Sequence, residues 1–77
     1  MPGLRTLSGE DLVRALERYG FSFKSQRGSH LKLARGKGEI LVLPMHREIR
    51  KGTLMDIYRE ALRYVPEEDL RHVFFSD

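Results

Sequence analysis

The spacing of apolar residues predicts an α+β domain, a three-stranded antiparallel sheet with two helices on one face. Three observations carry this. "LSGEDLVRALERYG" and "GTLMDIYREALRYVP" repeat apolar residues at helical spacing. "FSFKSQ", "SHLKLAR" and "EILVLP" are short and either alternate or run apolar throughout, as strands do. Glycines fall in the breaks between these three runs, where hairpin turns need them. At 77 residues the chain reads as a single domain, 1–77, with a small core.

In the first helix Ser8 is the expected cap, with Glu10 and Asp11 in the first turn where the helix dipole favours acids. Leu12, Leu16 and Tyr19 form its buried stripe, and Gly20 ends it. A three-residue loop at Gln26-Arg27-Gly28, with Gly28 as the turn glycine, places Phe23 opposite Leu31 and Lys24 opposite His30. A similar loop at Gly36-Lys37-Gly38 sets Leu31 and Leu33 beside Leu43 and Leu41. One sheet face then reads Phe21, Phe23, Leu31, Leu33, Leu41 and Leu43, the face that the helices cover. The open face reads Lys24, His30, Lys32, Ala34, Ile40, Val42 and Pro44. In this register Gly28 opposes His46, making it a diagonal neighbour of His30. A one-residue slip would invert both faces.

The second helix is expected to start on a capping box of Thr53 and Asp56 and to end before Pro66. Residues 66–77 read as a short extra helix or tail, with Leu70, Val73 and Phe74 on its apolar side. Helix, three strands, helix and tail is the α-β-β-β-α layout of the double-stranded-RNA-binding domain.

Fourteen Lys+Arg against eleven Asp+Glu leave a charge of +3, a modest excess that hints at a polyanion. Its distribution says more. Lys24, Arg27, Lys32, Arg35 and Lys37 fall on or around the first two strands with no acid before Glu39. Arg47, Arg50 and Lys51 precede the second helix, where free N–H groups and the dipole favour an anion, and Thr53 lies at that start. Aromatics Tyr19, Phe21, Phe23 and Tyr58 sit on inward stripes and read as core, which argues against a base-stacking surface. Ile40 and Val42 on an open face suggest cover by a protein partner.

His30 is the chemically suggestive residue. A neutral imidazole beside lysines can take a proton from an RNA 2′-hydroxyl while the cations hold the phosphate. Ser29 offers a hydroxyl to phosphate or imidazole, and His46 is a second acid–base or phosphate-contacting candidate. His72 has no such setting. The chain has no cysteine, which excludes disulfides and thiolate metal sites and fits a reducing cytoplasm. No metal-ligand spacing, nucleotide loop or serine-triad turn is visible, so no metal or other cofactor is expected. No signal peptide or membrane span is expected either.

The helix ending "ERYGF", then "RGSHLKL", "VLPMH" and "KGTLMDIYREA", resembles the HicA (YcfA-like) toxin family of bacterial toxin–antitoxin pairs from Ser8 to about Val65. Gly-Ser-His alone is uninformative; its combination with Pro-x-His and Lys-Gly-Thr-Leu at these separations is specific. The resemblance implies a double-stranded-RNA-binding-like fold, ribosome-independent cleavage of mRNA, and neutralisation by a HicB-type antitoxin that covers the His30 face. It carries the catalytic role to His30, in the motif shared with Gly28 and Ser29. It also matches His46 to the Pro-x-His histidine and Lys51, Gly52 and Thr53 to the second helix start. "PEEDLRHVFFSD" extends past the family's usual end. Two other readings stand beside the nuclease: a non-catalytic RNA-binding module of the same fold, and a protein-interaction domain. Salt-dependent RNA binding separates the last from the others.

Overall fold

The computed structural model describes residues 3–76; Met1, Pro2 and Asp77 lie outside the described residues. In chain order these form β1 (Gly3–Leu4), α1 (Gly9–Glu17), β2 (Ser22–Arg27), β3 (His30–Arg35), β4 (Glu39–Pro44), α2 (Lys51–Ala61), α3 (Glu67–Phe74) and β5 (Phe75–Ser76).

Helix α1 starts where its capping chemistry is complete. The Asp11 N–H donates to Ser8 Oγ at 3.0 Å, and the Ser8 N–H donates to the Asp11 carboxylate at 2.9 Å, a reciprocal capping box. That N–H, helped by the Ser8 hydroxyl, holds the Asp11 carboxyl below its ordinary range. The next residue fixes how close α1 approaches the sheet. A Cβ at Gly9 would lie 2.5 Å from the Pro44 carbonyl oxygen and 2.8 Å from Met45 Cα, both backbone atoms that cannot rotate away. Gly9→Ala is therefore expected to lower stability by about 1–3 kcal/mol, read from the urea midpoint. An unchanged midpoint would mean that α1 shifts freely on the sheet.

The large sheet has the order β2-β3-β4, antiparallel throughout. Between β3 and β4 the register is the expected one, with Leu31 against Leu43 and Leu33 against Leu41. Gly36 takes a positive φ of 60° in the intervening turn. Leu31, Leu33, Leu41 and Leu43 are buried under the helices, whereas His30, Lys32 and Val42 alternate onto the opposite face.

Between β2 and β3 the register differs from the expectation. The loop is two residues, Gly28-Ser29, so Arg27 and not Lys24 stands opposite His30. Gly28 has φ 58°, the positive value that a type II′ hairpin demands at its first loop position. A two-residue loop alone would pair Phe23 with Ala34; an irregularity between Phe23 and Ser25 absorbs one residue and pairs Phe23 with Leu33 instead. Phe23 thus shares the face of Leu33 but is not core: it is 60% exposed. The helices pack on β4, at the far side of the sheet, and β2 is exposed along its whole length. The expected diagonal placement of His46 also fails. β4 ends at Pro44, and the Met45 N–H donates to the Ser29 carbonyl as the chain leaves the sheet.

Helix α2 starts at Lys51, two residues before the Thr53 expected to cap it; Arg50 is the N-cap residue and its side chain makes no capping bond. Tertiary anchoring sets this start. The buried Ile49 donates its N–H to the Leu7 carbonyl at 2.9 Å, and the turn begins immediately after Arg50. The tail forms α3, whose Leu70 and Phe74 close the core beside Leu12, Leu16, Leu33, Leu43, Ile49 and Leu54. Phe74 and Phe75 each meet the Tyr58 ring edge-on with centroids 5.2 Å apart. β5 then pairs with β1, Leu4 opposite Phe75, joining the two ends of the described chain. No helix among the described residues is long and apolar enough to cross a membrane.

Candidate nucleic-acid interface

His30 opens β3 immediately after the Gly28-Ser29 turn, which Gln26 braces by donating Nε2–H to the Gly28 carbonyl at 3.0 Å. Its side chain is exposed on the outer sheet face between Arg27 on β2 and Pro44 on β4. Two recesses meet at this residue. One is lined by Ser25, Gln26, Arg27, His30, Lys32 and Val42, and it carries two cations and no carboxylate. The other follows the free edge of β4 toward α2 and is lined by His30, Leu41, Val42, Pro44, Thr53, Asp56, Ile57 and Glu60. His30 and Val42 form the partition between them.

The basic recess can do what the His30 reading requires. Arg27 supplies a planar donor pair and Lys32 a compact charge, and both flank an imidazole within one concavity. Lys24 on β2 and Lys37 in the β3–β4 turn are exposed but line neither recess. Ser29 is exposed in the turn, and its carbonyl accepts from the Met45 N–H at 2.6 Å.

Several residues singled out by charge are engaged inside the chain. Arg35 donates to the Tyr19 carbonyl at 2.7 Å and the Tyr64 carbonyl at 2.6 Å, pairs with Glu39, and lies over the Phe21 ring at 4.8 Å. Its hydrogen bond holds the Glu39 carboxyl below the usual carboxylate range. Arg35 therefore ties the turn after α1, the sheet and the segment after α2 together. Lys51 Nζ donates to the Arg5 carbonyl at 2.9 Å and the Leu4 carbonyl at 3.2 Å, holding the N-terminal segment. Arg50 is exposed beside it, and Thr53 stands inside the first turn of α2. His46 lines a different recess, with Ser8, Glu10, Met45 and Arg47, and its carbonyl accepts the Gly9 N–H at 2.9 Å. The structure thus groups His30 with Arg27 and Lys32 and separates His46 from them. Among the described residues no three potential metal ligands stand together.

Sequence reasoning missed Ser25 and Gln26 in the basic recess, and Asp56 and Glu60 in the other. The signal for the acids was present: Thr53, Asp56 and Glu60 recur at i, i+3 and i+7, one stripe of a helix.

A helix-backed three-stranded antiparallel sheet with this element order is an α+β domain of the double-stranded-RNA-binding type. The family model described as HicA toxin of bacterial toxin-antitoxin matches residues 9–62. That match covers most of the chain, which belongs to the HicA toxin family and so to the toxins of toxin–antitoxin pairs. Comparison with curated proteins gave no match.

Proposed function

We propose that this chain is the toxin of a HicA/HicB-type pair and acts as a metal-independent endoribonuclease on mRNA in the cytoplasm, with His30 as its catalytic group. The observation that carries the reading is the exposed His30 imidazole in one recess with Arg27 and Lys32. Membership of a toxin family supports it.

The reaction is transesterification. His30 accepts the proton of a ribose 2′-hydroxyl, and the 2′-oxygen bonds to the adjacent phosphorus. The P–O5′ bond breaks, and solvent protonates the departing 5′-oxygen. Negative charge builds on the non-bridging phosphate oxygens in between, and Arg27 and Lys32 stabilise it. Ser29, Lys24, Lys37 and Arg50 add polar and charged contacts along the backbone. The antitoxin would cover the His30 face, where Val42 is 49% exposed and Ile40 is half-buried.

The test is incubation of the purified chain with a mixed RNA in excess chelator, followed by typing of the new ends. The expected products carry 2′,3′-cyclic phosphate and 5′-hydroxyl ends. Ends with 3′-hydroxyl would mean attack by water and would overturn the mechanism. RNA bound without cleavage would reduce the protein to a binding module.

A further inference from the structure

The second recess at His30 has a chemistry opposite to the first. It is a cleft of about 420 Å³, within the roughly 300–1,000 Å³ typical of small-ligand sites. Leu41, Val42, Pro44 and Ile57 give it apolar walls, Thr53, Asp56 and Glu60 give it polar groups, and no lysine or arginine lines it. Its carboxylates repel phosphate, whereas the basic recess across His30 attracts it. An uncharged planar group suits the apolar walls. Asp56 uses Oδ1 to accept from Arg59 at 3.1 Å, and Glu60 Oε2 lies 3.5 Å from Arg63. Asp56 Oδ2 and Glu60 Oε1 accept no hydrogen bond from the described residues.

We propose that this cleft is a base-recognition subsite for a nucleotide flanking the phosphate at His30, selecting a base with a donor edge, guanine first and uracil last. The inference rests on the RNA-cleavage reading for the placement of that phosphate. Guanine presents N1–H and its exocyclic amine side by side, two donors for the free carboxylate oxygens. Adenine and cytosine present one amine each. Uracil places its single N–H between two carbonyls, which the carboxylates repel. The apolar walls hold the base faces, and the Thr53 hydroxyl donates or accepts at the rim. The sequence preference of the toxin is thereby written on the exposed stripe of α2 and not on the basic hairpin.

Two measurements test this on the full chain. In the first, guanosine and uridine 5′-monophosphates are titrated separately into the isotope-labelled protein and followed by amide shifts. Guanosine monophosphate is expected to move Val42, Thr53 and Ile57 and to bind about 10-fold or more tightly than the uridine compound, the discrimination of a good bidentate base contact. In the second, RNAs that vary only at the bases beside the cut are compared. The preference for guanine over uracil is expected to fall at least about fivefold in Asp56→Asn and Glu60→Gln combined. Equal binding of both nucleotides, shifts confined to other residues, or a preference untouched by the double substitution overturns the subsite. So does a cleft that responds only to the antitoxin protein, which would make it a docking groove. Selective nucleotide binding in the cleft without RNA cleavage would preserve the subsite and overturn the nuclease reading instead.

Discussion

His30→Ala is expected to lower the RNA cleavage rate by about 10²–10⁴-fold, the usual contribution of a positioned acid–base group. The fold gives this substitution unusual clarity. The imidazole is exposed and makes no side-chain hydrogen bond among the described residues, so its removal opens no cavity and strands no buried partner. A stability change within about 0.5 kcal/mol is expected, as for other surface sites. RNA binding is expected to persist with nearly the same salt dependence, because Arg27 and Lys32 remain in the recess. The measurement is a single-turnover cleavage rate beside a binding isotherm and a thermal melt. Equal cleavage by parent and variant would remove His30 from the mechanism. Loss of binding in parallel with loss of cleavage would make His30 a contact residue and not an acid–base group.

Phe74→Ala is expected to have the largest effect on stability, about 3–5 kcal/mol, in a domain whose total is on the order of 5–15 kcal/mol. Phe74 is 0% exposed and packs edge-on against Tyr58 of α2. Its carbonyl also accepts the Arg5 N–H at 2.8 Å, and the strand that follows pairs with β1. For a chain of this length the loss corresponds to a melting temperature lower by more than about 12 °C. Calorimetry or denaturant unfolding measures it. A shift of a degree or two would mean that α3 is an appendage that the remaining core can replace. Phe74 lies outside the matched residues 9–62. The segment shared with the family does not close its own core here.

Most of the architecture follows from periodicity. Leu12 and Leu16 at helical spacing, and Leu31, Leu33, Leu41 and Leu43 alternating across a glycine turn, each demand one buried face, and the structure supplies it. The β3–β4 register was legible because a slip by one residue would have turned the two leucines of one strand outward. The β2–β3 register was not legible, since β2 lies beyond the helices and no burial penalty distinguishes one pairing from another. There the turn chemistry of Gly28 and the irregularity after Phe23 decide, and the partner of His30 changes from Lys24 to Arg27.

The position of a charge along the chain was informative only in part. Arg27, Lys32, Arg35 and Lys51 look alike along the chain, yet the first two face the recess of His30 while the others bind main-chain carbonyls. Whether a cation is free for a ligand depends on which carbonyls the fold leaves without partners, and no local pattern encodes that. Asp56 shows the same limit from the other side: a cap by sequence spacing, it becomes a cleft residue because Ile49, anchored to Leu7, starts α2 two residues earlier.

Legible in the sequence were the order of the two main helices around the three-stranded sheet, the helix-covered face, the buried leucines and the family. These depend on repeating local patterns and on motifs whose spacing survives without coordinates. Tertiary packing settles which cations stand beside His30, that His46 lies apart from it, that Phe23 stays in solvent, and that Gly3–Leu4 and Phe75–Ser76 meet as a two-stranded ribbon. Each of those outcomes depends on how separate elements stack and where the covered area of the sheet stops, and these are properties of the packed molecule.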